Sequence, residues 1–196
     1  MKARISRIAY IRPPFPNFIL YTDASWSDKK NSGRIAAILV DRSTGNIIDV
    51  LSSAAPASLV RAFKSSLVIY GLELFALVAA SAVWQFTLSN SQVSAYVDND
   101  PSSNGLVRGA AKFPIAHYMI LRFWQLMCKR SISVWFERVP SPLNLADLPT
   151  RNRSLPVKSP NWREFPSLEF LVAHFTSKWS FTNDSSLEDK NLFSNR

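Results

Sequence analysis

Residues 67–86 read LVIYGLELFALVAASAVWQF, an almost entirely apolar run with a single glutamate at position 73. A segment that is apolar on all sides indicates a helix buried in a protein core, and we predict a helix over residues 66–86. The run is also long enough to cross a bilayer. However, Glu73 interrupts it, no basic residue flanks its C-terminal side, and the chain has no second such segment. We therefore expect no membrane span.

Three shorter apolar segments precede this helix. Strands are predicted over residues 18–22, 35–40 and 47–51, separated by polar loops at Ser27 to Ser32 and Asp41 to Asn46. Consecutive strands joined by loops this short pair antiparallel, so the N-terminal part of the domain is predicted to be a three-stranded meander.

After the long helix, strands and helices alternate. We predict a strand over 93–97, a short helix around 103–111, a helix over 114–128, a strand over 132–136, a short helix opened by Asn144, and further helix around 168–179. A meander followed by helix-linked strands indicates an α/β fold, with a five-stranded mixed sheet and helices on both faces.

The length of 196 residues suits one domain with extensions at both ends. We divide the chain into a basic, proline-rich lead-in (1–17), the α/β domain (18–153), a C-terminal helical extension (154–182) and a polar tail (183–196) that we expect to be disordered.

The composition limits the chemistry. One cysteine and two histidines exclude a disulfide framework, a cysteine-rich zinc site and any site built on several imidazoles. The single thiol and the lack of a convincing secretory signal favour an intracellular location. The net charge of +9 indicates a polyanionic partner such as nucleic acid, although a soluble protein can also simply be basic.

Carboxylates are the remaining candidates for catalysis. Between Lys64 and Asp98, Glu73 is the only residue among Asp, Glu, Lys, Arg and His. A buried, unpaired carboxylate costs on the order of several kcal/mol, so it requires a metal ion or a distant basic partner. Asp23 lies where the first strand gives way to a loop, and Asp98 ends the fourth strand.

Asp147 is the fourth candidate, three residues after Asn144 at the start of a predicted helix. Taken singly, Asp23, Asp98 and Asp147 are all compatible with ordinary turn or helix-capping roles. As a set with Glu73, they occupy elements that can converge, and clustered carboxylates are usually reconciled by hard cations such as magnesium.

The segments that carry these carboxylates are Tyr21-Thr22-Asp23-Ala24-Ser25, Glu73-Leu74-Phe75-Ala76-Leu77, Tyr96-Val97-Asp98-Asn99 and Asn144-Leu145-Ala146-Asp147. In this order they resemble the four motifs of type 1 ribonuclease H domains, over residues 18–151. The stretch from Trp135 to Arg151 resembles the end of such domains in retroelement polyproteins, where the domain follows a reverse transcriptase.

The resemblance implies that two magnesium ions, or manganese in their place, are bound by Asp23, Glu73, Asp98 and Asp147. It further implies cleavage of the RNA strand of RNA–DNA hybrids, with a reverse transcriptase domain as a possible partner. Residues that would contact the substrate or its backbone are Ser25, Asn99, Asn144 and Arg151.

The loop 139–143 lacks the histidine that cellular members often carry there, which predicts slower turnover. Three alternatives stay open. One is a catalytically inactive nucleic-acid-binding domain of the same fold. Another is a DNA-cutting nuclease or integrase, which would use a late acid such as Glu164 or Glu169. A serine or cysteine hydrolase is disfavoured, because no Gly-x-Ser-x-Gly motif occurs and Cys128 is predicted to lie in the core.

Overall fold

The structure is a computed structural model that describes residues 15–98, 100–155, 162–165 and 168–176. The described strands form a single sheet in the order β5-β4-β1-β2-β3-β6. The strands are β1 (Phe18–Ser27), β2 (Ser32–Asp41), β3 (Ile47–Ala54), β4 (Gln92–Val97), β5 (Ser133–Arg138) and β6 (Trp162–Phe165). The helices are α1 (Ala57–Ala62), α2 (Val68–Val83), α3 (Asp100–Arg108), α4 (Pro114–Lys129), α5 (Asp147–Thr150) and α6 (Glu169–Thr176), with 3-10 turns at Ser65–Leu67 and Ser141–Leu143.

The predicted meander is confirmed, with longer strands than hydrophobicity alone indicated. β1 pairs antiparallel with β2 as far as Ser27, so Asp23 lies within the strand rather than at its end. The polar half of β1 is held by backbone pairing, which an apolar pattern does not reveal. Gly33 permits this pairing, because the Cβ of any other residue at this position would lie 2.1 Å from the Ser25 carbonyl oxygen.

The second half of the sheet is parallel. β4 pairs with β1 from Phe18 opposite Val93 to Tyr21 opposite Tyr96, and β5 pairs with β4. The rings of Tyr21 and Tyr96 stack with centroids 5.1 Å apart. α2 links β3 to β4, and α3 and α4 link β4 to β5, as helix crossovers between parallel strands require.

Two apolar clusters lie on opposite faces of the sheet, as the alternation along β2 shows. Ile35, Ala37 and Leu39 join the main core with α2 and α4. Ile38 and Val40 join a smaller cluster beneath the chain segment that carries α5. Helices on both faces are therefore confirmed.

The predicted burial of the apolar helix is also confirmed, since every residue of α2 from Gly71 to Val83 is buried. Within the described part of the chain, no helix is long and apolar enough to cross a membrane. The helix ends three residues earlier than predicted, because residues 84–90 turn back toward β4.

The C-terminal extension differs from its prediction as a purely helical segment. All five predicted strands are present, and β6 adds a sixth that runs parallel to β3. The four residues WREF are too short and too polar to show a strand pattern. α6 then packs against α1 and α4, which covers one side of the main core.

Two local predictions were wrong. Cys128 is exposed rather than buried, because the last turn of α4 leaves the core after Met127. The late helix begins at Asp147, and Ala146 rather than Asn144 precedes it as the cap residue. The lead-in up to residue 14, the tail 183–196 and Asn99 lie outside the described residues.

Candidate active site

Three of the four predicted carboxylates meet just beyond the point where the parallel pairing of β1 with β4 ends. Asp23 lies on β1, Glu73 on α2 and Asp98 directly after β4, and one carboxylate oxygen from each lies within 4.8 Å of the others. The register explains the meeting. Tyr21 pairs with Tyr96, so the positions two residues further along each strand are adjacent. The carboxyl ends of parallel strands are a common location for ligand sites.

Glu73 is the most deeply buried member of this cluster. Its side chain is 4% exposed, and its Oε1 accepts a hydrogen bond from the Ala24 backbone N–H at 3.3 Å. Its Oε2 is buried without a hydrogen-bond partner among the described residues. Burial, followed by the negative charges of Asp23 and Asp98, raises the pKa of Glu73 well above its ordinary value. Without a cation nearby, the protonated form of this carboxyl is therefore favoured more than in a solvent-exposed glutamate.

Asp23 is buried as well, and desolvation raises its pKa to about 6. The Thr150 hydroxyl opposes this shift by donating a hydrogen bond to Asp23 Oδ2 at 2.6 Å. The neighbouring charges of Asp98 and Asp147 act in the same direction as burial. Full ionisation of all three carboxyl groups is therefore unfavourable in the absence of a cation.

Asp98 is the more accessible carboxylate. The Ser141 hydroxyl donates a hydrogen bond to its Oδ2 at 2.8 Å. Ser141 belongs to the loop in which the sequence lacks a histidine, so this loop reaches the cluster through a hydroxyl instead.

Asp147 adjoins the three-carboxylate group without belonging to it. It is the first residue of α5, and its charge is close enough to raise the pKa of Asp23. Its Oδ1 is bound by Arg151 Nε at 2.6 Å, one helical turn later. The structure thus assembles three of the predicted ligands and leaves the fourth paired with an arginine.

Solved structures similar to this chain include ribonucleases H. LC11-RNase H1, isolated from compost, matches with a TM-score of 0.55 and 16% identity, over 70% of this chain and 95% of that one. The N-terminal RNase H domain of Rv2228c from Mycobacterium tuberculosis matches with a TM-score of 0.53 and 11% identity, over 70% and 92%. This chain has a ribonuclease H-like fold.

LC11-RNase H1 has also been crystallised in complex with an RNA/DNA hybrid, and that structure matches with a TM-score of 0.52 and 16% identity over 69% of this chain and 95% of that one. No protein-family model and no curated protein sequence matches the chain. The similarity that these comparisons show is therefore one of fold.

Two residues predicted to contact substrate, Asn144 and Ser25, form hydrogen bonds within this ribonuclease H-like domain. The Asn144 side chain is buried, and its Nδ2 donates a hydrogen bond to the Thr22 carbonyl at 2.9 Å, while its Oδ1 accepts one from the Ala146 N–H at 3.1 Å. The Ser25 hydroxyl donates to the Thr150 carbonyl at 3.1 Å. The hydrogen bonds to Thr22 and Thr150 connect the α5 segment to β1, and so position Asp147 beside the cluster.

Sequence reasoning missed Thr150 and Ser141. Thr150 carried a weak signal, because it lies three residues after Asp147 and so on the same side of a helix. Ser141 carried none, since its contact with Asp98 joins residues 43 positions apart in the chain.

The residues present fit a divalent cation. The donor set consists of carboxylate oxygens, which magnesium and manganese prefer, and it includes neither histidine nor cysteine. The buried, unpartnered Oε2 of Glu73 is the clearest sign, because such an atom requires either a proton or a positive charge.

Proposed function

We propose that this chain hydrolyses the RNA strand of RNA–DNA hybrids endonucleolytically, with magnesium or manganese ions held by its carboxylate cluster. The observation that carries the proposal is the convergence of two buried carboxyl groups, Asp23 and Glu73, with the partly exposed Asp98 in a ribonuclease H-like fold. The unpartnered Glu73 oxygen distinguishes this convergence from an ordinary surface group of acids.

The chain's own residues prepare the site. Thr150 and Ser141 each hold one oxygen of a carboxylate, Oδ2 of Asp23 and Oδ2 of Asp98, so the two side chains keep fixed orientations and each offers its other oxygen as a ligand. The Ala24 N–H holds Glu73 through Oε1 in the same way. Bound divalent ions supply an activated water and stabilise the leaving oxygen at phosphorus.

Proton release accompanies occupancy of the site. The pKa of Glu73 is well above its ordinary value and that of Asp23 is about 6, so binding of a cation by these carboxyl groups would be accompanied by release of protons to solvent. The ionised form needed for binding therefore becomes more populated as the pH rises from about 5 to 8.

Substrate binding is proposed to rest on phosphate contacts. The net charge of +9 favours a polyanion, and Arg151 presents a 57% exposed side chain beside the cluster. Discrimination of RNA from DNA would follow the 2′-hydroxyls in the wide minor groove of a hybrid. The crystallisation of the similar LC11-RNase H1 with an RNA/DNA hybrid supports this substrate class.

The resemblance of residues 135–151 to the ends of ribonuclease H domains in retroelement polyproteins supports a role beside a reverse transcriptase. We propose that two ions are used, with Asp147 as a ligand of the second, and that the domain acts inside the cell beside a reverse transcriptase domain. The hybrid substrate is the expected product of such a polymerase on an RNA template.

The test is cleavage of a hybrid whose RNA strand is end-labelled. Magnesium should produce internal cuts in the RNA strand, chelator should abolish them, and Asp98→Asn should lower the rate by at least about 1,000-fold while hybrid binding is retained. Asp28→Asn is the matched control, because Asp28 is an exposed acid in the β1–β2 turn. Hybrid binding without cleavage would replace this proposal with a non-catalytic binding domain. Preferential cutting of duplex DNA would indicate a DNA nuclease.

A further inference from the structure

Arg151 is an exposed arginine that forms an ion pair with Asp147. Its Nε binds Oδ1 of Asp147 at 2.6 Å, with side-chain exposures of 57% and 23% respectively. The two residues are separated by one turn at the end of α5, and the backbone of Arg151 closes that turn by donating to the Asp147 carbonyl at 3.3 Å. The ion pair therefore forms locally and does not depend on distant packing.

The Arg151 guanidinium also interacts electrostatically with the three-carboxylate cluster. Its pKa is raised first by the hydrogen bond and charge of Asp147, and further by the charges of Asp23 and Asp98. A positive charge thus lies beside the cluster, where it interacts with Asp147 and with two of the cluster carboxylates, Asp23 and Asp98.

We propose that Arg151 controls the second metal ion by occupying Asp147 as a substitute cation until substrate arrives. This inference rests on the proposed function. The first ion binds to Asp23, Glu73 and Asp98, which are already assembled. A second ion ligated by Asp147 must displace Arg151 from the carboxylate oxygen that it holds.

A substrate phosphate can replace Asp147 as the anion that Arg151 binds. A phosphate close to the cluster offers Arg151 another anion, and guanidinium groups bind phosphate as well as carboxylate. Asp147 is then released to the second ion. Binding of the second ion is consequently coupled to binding of nucleic acid, and it is weak in the substrate-free protein.

The experiment is a manganese titration of the full chain without nucleic acid, at low ionic strength, followed by calorimetry and by electron paramagnetic resonance of free manganese. The variants are Arg151→Gln, which removes the charge, and Arg151→Lys, which keeps it. Arg153→Gln is the matched control, since it changes the net charge equally from an exposed position two residues away.

Wild-type protein should bind one ion and then a second far more weakly. Arg151→Gln should tighten the second ion by about three- to tenfold and leave the first nearly unchanged, whereas Arg151→Lys and Arg153→Gln should change the second ion by less than about twofold. Because a partly exposed pair of this spacing stabilises a helix only slightly, melting temperatures should stay within about 2 °C of wild type.

Equal affinity for the second ion in wild type and Arg151→Gln would overturn the inference and leave the proposed nuclease intact. An equal effect of Arg153→Gln would overturn it as well, because the effect would then reflect net charge alone. Failure of both proteins to bind any ion would overturn the proposed function, and this inference with it.

Discussion

The Thr150 hydroxyl donates a hydrogen bond to Oδ2 of Asp23 at 2.6 Å, which ties α5 to β1 across 127 residues of sequence. The same hydroxyl lies 2.9 Å from the Asp147 carbonyl oxygen, but it has only one proton to donate. The carboxylate is the stronger acceptor once Asp23 is ionised, since hydrogen bonds to charged groups are the stronger ones. Thr150 therefore both orients Asp23 and favours its charged form.

Replacement of Thr150 by valine tests this role. Thr150→Val keeps the shape and removes the donor, so the pKa of Asp23 should rise further above about 6 and the pH–rate profile should shift to higher pH. We expect cleavage at pH 7 to fall by about 10- to 100-fold. Thr150→Ser restores the hydroxyl and should restore most of the rate. An unshifted profile in the valine variant would show that Thr150 matters only for packing.

Replacement of Asp23 by asparagine should abolish cleavage and raise the free energy of unfolding of the ion-free protein. The pKa of Asp23 is raised from 3.8 to about 6, so the folded state binds more protons than the unfolded state between these values. The free energy of unfolding of the ion-free protein therefore loses a contribution on the order of 2–3 kcal/mol as the pH rises through this window, and the loss is complete above it. Asp23→Asn removes that loss.

The measurement is the difference in free energy of unfolding between Asp23→Asn and wild type, in chelator, from pH 4 to 8. The difference should be near zero at the acidic end, grow toward pH 6 and then level off, and magnesium should stabilise only wild type. Asp41→Asn is a control of opposite sign, because the hydroxyl and N–H of Ser43 lower the pKa of Asp41. A difference that does not vary with pH would contradict the raised pKa.

Hybrid binding should weaken steeply with salt. The chain carries 23 Lys plus Arg against 14 Asp plus Glu, and each phosphate that it neutralises releases counterions. Between about 50 and 200 mM salt, we expect the affinity of Asp98→Asn for hybrid to fall by at least about 100-fold. Fluorescence anisotropy with a labelled hybrid gives the slope, and a flat dependence would argue against recognition dominated by phosphates.

The C-terminal extension should contribute to stability through Glu169. This residue begins α6, and its carboxylate accepts hydrogen bonds from the Ser58 N–H at 3.1 Å and from the Ser58 hydroxyl, at the N-terminus of α1. Pro56, the cap residue of α1, provides no side-chain hydrogen bond of its own. Glu169→Ala should therefore lower the free energy of unfolding by about 1 kcal/mol.

The same variant separates the extension from the chemistry. Because Glu169 binds Ser58 at the N-terminus of α1, its loss should leave the cleavage rate at low temperature unchanged. Chemical denaturation and the hybrid cleavage assay give the two readouts. A large loss of cleavage in folded Glu169→Ala protein would instead favour the alternative in which a late acid belongs to the active site.

The order of elements could be predicted from local apolar patterns, and the burial of α2 from an apolar run that covers all sides of the helix. β6 could not, since four mixed residues form a strand only by pairing with the free edge of β3. Cys128 was misplaced for a related reason: the face of a helix indicates its buried side, but only packing shows where the helix leaves the core.

The sequence by itself determined the composition of the site. An isolated Glu73 in an apolar helix, and aspartates at strand and helix ends, were visible without coordinates because burying an unpaired carboxylate is costly wherever it occurs. The tertiary structure alone decided how these groups are held: Asp23 by Thr150, Asp98 by Ser141, and Asp147 by Arg151 outside the three-carboxylate group. Two of these contacts join residues distant in the chain, and their geometry depends on strand register and helix placement, which a linear pattern does not specify.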